Sequence, residues 1–154
     1  MPDPILSVRD LSIAYQSRRG QVQAVRNISF DVERGESVAL IGESGSGKTT
    51  VGLGLIRLLP AAARIVGGSI IYRRYANGSN AAGRETDVLS LNGGNLRQFL
   101  WSECAMVFQS ALNALNPVLR VSEHFADTAK AHGYLSGPQQ RNALRDRSLQ
   151  LLSM

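Results

Sequence analysis

Gly42-Glu-Ser-Gly-Ser-Gly-Lys-Thr49 is the stretch on which the reading of this chain turns, a full match to the pattern G-x-x-x-x-G-K-[ST]. Each position has a mechanical reason. Gly42, Gly45 and Gly47 let the backbone turn tightly and leave no Cβ between the amides and an anion. The N–H groups from about Ser44 through Gly45, Ser46, Gly47 and Lys48 to Thr49 can then converge on a β-phosphate. The Lys48 ammonium reaches β/γ oxygens, and the Thr49 hydroxyl suits Mg²⁺. A helix starting here adds the positive end of its dipole.

The flanks fit that use. Ser37-Val-Ala-Leu-Ile41 is a short apolar run, predicted as a buried parallel strand. Thr49 to Leu59 spaces Val51, Leu55, Leu58 and Leu59 as a helix does, and Pro60 stops it. The expected order is strand, phosphate loop, helix. Glu43 occupies a variable position of the pattern and is expected to be a solvated side chain.

Outward from the loop, Ile5 to Tyr15 and Val22 to Val32 read as two antiparallel strands around a polar turn at 16–21. Val22, Ala24, Ile28 and Phe30 are the expected inward residues of the second. Residues 67–72 read as another strand, and 73–94, rich in Asn, Gly, Ala and Arg, as a surface insertion. Asn95 to Trp101 reads as one or two helical turns. Cys104-Ala-Met-Val-Phe-Gln109 reads as a buried strand ending in a polar residue. Val121 to His132 and Pro138 to Leu152 read as helices.

Composition sets the bounds. A chain of 154 residues with 44% hydrophobic content is sized for about one globular domain. No apolar run approaches the roughly 18 residues of a membrane span. Met-Pro-Asp-Pro lacks the basic and apolar regions of a signal peptide. Cys104 is the only cysteine, which excludes an intrachain disulfide and suggests a reducing compartment. The formal charge of +5 could suit nucleic acid, yet fifteen of the seventeen basic residues are dispersed arginines. Apart from Tyr72-Arg-Arg-Tyr75, no aromatic residues interleave with them as a single-strand binding surface requires, so no nucleic-acid partner is expected.

The loop alone leaves kinases, GTPases, helicases and transporter ATPases open. Three further features choose among them: Tyr15, 27 positions before Gly42; Met106-Val-Phe-Gln109; and Ser110-Ala-Leu-Asn-Ala-Leu-Asn-Pro-Val118 directly after it. With the phosphate loop, these resemble the nucleotide-binding subunits of ABC transporters over residues 5 to 132, in particular the dipeptide/oligopeptide/nickel importer group.

The resemblance implies an α/β P-loop NTPase fold with a RecA-like core. Residues 1–36 would form an antiparallel β region, 37–109 the nucleotide-binding core and 110–154 the start of a helical subdomain. It implies ATP and Mg²⁺ as ligands. Tyr15 would stack on adenine, a task that asks for a flat ring and makes no demand on the phenol hydroxyl. Gly42, Ser44, Gly45, Ser46, Gly47, Lys48, Thr49 and Thr50 would bind nucleotide. Thr49 and Gln109 would approach Mg²⁺, and Lys48 and Gln109 would act in hydrolysis. Ser110 to Val118 would face transmembrane permease subunits, and a second ATP-binding subunit would complete the ATPase. The protein would be cytoplasmic and peripheral on the inner face of the cell membrane.

The departures from the family pattern concern hydrolysis. The family uses a Leu-Ser-Gly-Gly-Gln segment, an apolar strand ending in Asp-Glu and a later histidine. Leu135-Ser-Gly-Pro-Gln139 imitates the first but comes 26 residues after Gln109, and Pro138 lacks the N–H that would bind phosphate. It reads instead as a helix start with Pro138 in the first turn. No apolar run ends in Asp-Glu, and His124 and His132 fall on a predicted helix too early for the sensor. The expectation is the N-terminal half of an ABC ATPase that does not hydrolyse ATP alone. An ABC-type ATPase acting on nucleic acid and a nucleotide-binding fragment without activity are the alternatives.

Overall fold

The computed structural model describes residues 3–75, 82–109, 115–133 and 138–153. The chain divides into two compact units, one through Leu96 and one from Arg97.

The first unit is built on an antiparallel sheet of order β2-β1-β3-β4, with β1 at Leu6–Ser17, β2 at Gly20–Val32, β3 at Ala63–Tyr75 and β4 at Ala82–Asp87. β1 is interior to the sheet, and Val8, Leu11, Ile13 and Ala14 are buried along it. Ile70 of β3, Val25 of β2, Val51, Ile56 and Val88 join this core. Both β1 pairings shift register near residues 9–12, and Asp10 and Asn27 take left-handed φ values of 49° and 45°. Asx residues tolerate that conformation better than most. The buried Ser12 hydroxyl bonds Asn27 Oδ1 at 2.8 Å, so the irregularity leaves it satisfied.

α1 spans Lys48–Leu55, and a 3-10 turn at Val88–Ser90 follows β4. α1 ends four residues before the expected Leu59, because Arg57 turns left-handed at φ 56°. Its guanidinium then donates to the Val88 carbonyl at 3.2 Å and to that of Leu91. α2 spans Gly93–Ser102. In the second unit α3, Val121–Ala131, packs on α4, Pro138–Leu152, and Trp101 meets His132 edge to face at 5.5 Å. Pro138 begins α4, as its fixed φ favours. His124 Nε2 lies 3.3 Å from the Asn116 carbonyl.

Several expectations need correction. Residues 37–41 and 104–108 take no strand assignment. Apolar composition gives a segment the capacity for a buried strand, but a strand exists only through hydrogen bonds to a neighbour. Without one, Ile41 is 94% exposed and Val107 93% exposed. In β2 the buried residue is Val25, while Val22 is 58% exposed, because three register shifts along β1 break simple alternation. The expected insertion at 73–94 contains β4, the 3-10 turn and the start of α2. Arg73 anchors β4 through an ion pair with Glu85 at 2.6 Å and reaches the buried Ser7 hydroxyl at 2.9 Å.

Candidate functional site

The phosphate loop has the backbone its glycines were expected to give. Gly45 and Gly47 sit at φ 82° and 94°, and Gly47 is the N-cap of α1. Left-handed residues at such close spacing turn successive amides toward one concave side. No side chain caps α1. The N–H groups of its first turn, which have no acceptor within the helix, are therefore left to a ligand.

Lys48 folds back over the loop. Its Nζ donates to the carbonyls of Gly42 and Glu43, each at 2.7 Å, and lies 3.4 Å from Ser46 Oγ. The two short bonds tie the loop's entry to its exit. The third donor direction makes the long contact, which a phosphate oxygen can replace while the two carbonyl bonds persist. Such an exchange would gain a charge-assisted bond in place of a neutral one.

The sheet holds the loop by one face of α1. Gly47, Thr50, Val51 and Gly54 follow helical spacing, and Val51 and Gly54 are buried. A Cβ on Gly47 would lie 2.9 Å from the Ala24 carbonyl oxygen, and one on Gly54 only 2.5 Å from Ile13 Cδ1. Both glycines are thus points of close approach between helix and sheet. Between them, the Tyr15 hydroxyl lies 3.3 Å from Thr50 Oγ1. Thr49, on the opposite side, is exposed.

The structure therefore brings Tyr15, Lys48, Thr49 and Thr50 together with Gly42, Ser44, Gly45, Ser46 and Gly47 in the first unit. Gln109 belongs to the second unit, where it is exposed. Residues 110–114 lie outside the described residues, as do 134–137 of the signature-like stretch. Leu115 to Val118 are described: the Val118 N–H donates to Asn116 Oδ1 at 3.1 Å, and Leu119 N–H to the Asn116 carbonyl at 3.1 Å. These bonds close a turn at Asn116-Pro117, which leaves Val118 87% exposed. Burial raises the pKa of the Cys104 thiol above its ordinary value, which favours an unreactive thiol.

Sequence reasoning did not single out the Tyr15–Thr50 contact, Gly54 or Arg57. Gly54 left a signal, since glycine inside a helical pattern is unfavourable and marks close packing. Arg57 left none.

The ABC transporter family model matches residues 25–154. The chain belongs to the ABC transporter family. Its ATP-binding domain is of the P-loop α/β type, a nucleotide-binding class whose members are in general ATPases. The chain is 34% identical over 154 residues to the glutathione import ATP-binding protein GsiA of Pectobacterium atrosepticum, covering 97% of this chain and 23% of that protein. It is 37% identical over 129 residues to the dipeptide transport ATP-binding protein DppD of Caldanaerobacter subterraneus subsp. tengcongensis, covering 84% of this chain and 36% of the relative. With GsiA of Escherichia coli strain K12 it shares 37% identity over 132 residues, 83% of this chain and 20% of that protein. The chain thus spans only 20 to 36% of the length of these relatives. Among the described residues, no helix is long and apolar enough to cross a membrane.

Proposed function

We propose that this chain is the nucleotide-binding N-terminal part of an ATP-binding subunit that powers an ABC importer of peptides or peptide-like solutes. The observation that carries the reading is the phosphate loop: Lys48 bonded across its neck, and α1 opening uncapped behind it. The names of the similar proteins, dipeptide transport and glutathione import, support the solute class.

In this reading Gly42, Ser44, Gly45, Ser46, Gly47, Lys48, Thr49 and Thr50 bind the phosphates of ATP, and Tyr15 stacks on the base. Mg²⁺ would be held at the Thr49 hydroxyl, and the family resemblance gives Gln109 a role toward the same ion. Hydroxyl and amide oxygens fit that cation, which takes few protein ligands and keeps waters and phosphate oxygens. Lys48 and Gln109 serve hydrolysis in the complete ATPase. The turn at Leu115–Val118, with Val118 outward, belongs to the segment 110–118 that meets permease subunits. A second ATP-binding subunit completes the catalytic site, and the subunit lies peripherally on the inner face of the membrane. Nucleic acid is not a partner.

The test is titration of the purified chain with a fluorescent ATP analogue. A charge-assisted hydrogen bond contributes roughly 1.5–3 kcal/mol, so Lys48→Ala should weaken binding by about one to two decades. Unchanged affinity in a folded variant would sink the assignment. DNA or RNA retained in a filter assay would favour the nucleic-acid alternative instead.

A further inference from the structure

The base-stacking role asked nothing of the Tyr15 hydroxyl, yet that hydroxyl is engaged. Tyr15 lies near the end of β1, paired with Val22 of β2 and Ala63 of β3, which fixes its backbone on both sides. Its ring is half-buried, and the hydroxyl lies 3.3 Å from Thr50 Oγ1. Thr50 belongs to the first turn of α1, on the face that Gly47 and Gly54 press against the sheet. It directly follows Thr49, whose side chain points away from that face into solvent.

We propose that Thr50 is a positioning residue whose hydroxyl, bonded to that of Tyr15, holds the aromatic ring at a fixed setting relative to the phosphate loop. This rests on the nucleotide-binding reading and adds a link between its two halves. A nucleotide joins its base to its phosphates through a ribose of fixed reach, so ring and loop must keep a constant separation for both to be used at once. A tyrosine on a strand end can swing about its side-chain torsions. The bond to Thr50 removes that freedom before the ligand arrives, which lowers the ordering cost of binding. The residue is thereby a determinant of nucleoside phosphates over phosphates without a base.

The experiment compares ATP with inorganic tripolyphosphate as competitors of the fluorescent analogue on the full 154-residue chain. A neutral hydrogen bond of ordinary strength predicts that Tyr15→Phe and Thr50→Val each lower the ratio of ATP to tripolyphosphate affinity roughly threefold to tenfold. The double variant should be no worse than either single one, because both remove the same bond. Thr50→Ser keeps the hydroxyl and should restore the ratio. Equal loss of both ligands in Thr50→Val, additive with Tyr15→Phe, would overturn the proposal and leave Thr50 serving the phosphates alone. A fall in melting temperature with an unchanged ratio would also overturn it, leaving a purely structural bond. Lys48→Ala should weaken both ligands. If it does not, or if the chain binds neither, the nucleotide reading itself fails and this proposal with it.

Discussion

Substituting Gly47 by alanine tests how the phosphate loop is seated. Gly47 stands at φ 94°, and a Cβ there would meet the Ala24 carbonyl oxygen at 2.9 Å, closer than ordinary van der Waals contact. The new residue faces two penalties. A left-handed setting costs a residue with a Cβ roughly 1–2 kcal/mol, partly offset by about 0.4–1 kcal/mol from the stiffer unfolded chain. The clash is with backbone, which cannot rotate away, so the strand or the loop must shift; strain of this kind adds roughly 1–2 kcal/mol. Gly45→Ala is the internal control. Its φ of 82° carries the same conformational penalty, but nothing lies within 4 Å of its Cβ position. The expected loss is about 0.5–1 kcal/mol for Gly45→Ala and about 2–3 kcal/mol for Gly47→Ala. For a chain of this size those figures correspond to roughly 1–4 °C and 4–12 °C in melting temperature. Thermal denaturation followed by circular dichroism reads both. Equal shifts in the two variants would refute the claim that the loop rests on Ala24.

Three further outcomes are expected. The chain alone should release no phosphate from Mg-ATP above the level of its Lys48→Ala variant. Its sequence carries neither an apolar run ending in Asp-Glu to orient water nor a Leu-Ser-Gly-Gly-Gln segment to stabilise charge in the transition state. Lys48-dependent turnover would point to an unrecognised base, with Glu43, Glu103 and Glu123 the first to mutate. Arg57→Ala should destabilise the fold by about 2 kcal/mol through loss of its two carbonyl bonds, and Arg57→Gly should recover about 1 kcal/mol by relieving the left-handed backbone. A glycine variant more stable than wild type would show that the guanidinium contributes less than the backbone relief. Because burial raises its pKa, Cys104 should stay protonated at neutral pH and react with a thiol reagent more slowly than free cysteine. Its rate should climb only as pH rises above the ordinary thiol range; an early rise would contradict the direction of the shift.

The backbone of the loop was legible because it depends on local residue types. Glycines at fixed offsets, a lysine and a threonine dictate the backbone and the donors wherever the chain goes. The helices at 121–131 and 138–152 were legible for a similar reason, since an apolar face and a proline start are local signals. The strand pairing of β1 with β2 followed from the short polar turn between them. What was not legible is long-range. β4 consists of Ala-Gly-Arg-Glu-Thr-Asp and has no apolar alternation. It is a strand because its backbone pairs with β3 and Glu85 meets Arg73. Conversely, 37–41 and 104–108 carry strong apolar signals and no strand, because pairing needs a neighbour that composition cannot supply. The shifted face of β2 came from bulges, which leave little trace in a pattern of hydrophobic residues. The Tyr15–Thr50 contact joins positions 35 residues apart, and nothing in either local sequence announces it.

The seating of α1 has a consequence for cooperativity. Eight residues are too few for a helix to persist in water alone, since isolated helices shorter than about 12–15 residues are marginal. α1 also contains two internal glycines, Gly52 and Gly54, and no side-chain cap. Its order is therefore borrowed from the strands beneath it through Ala24, Tyr15 and Ile13. The loop amides and the β1–β2 hairpin should then open and close as one unit. In hydrogen exchange the amides of α1 should then show no more protection than those of β1, and a ligand that holds the loop would stiffen the hairpin as well.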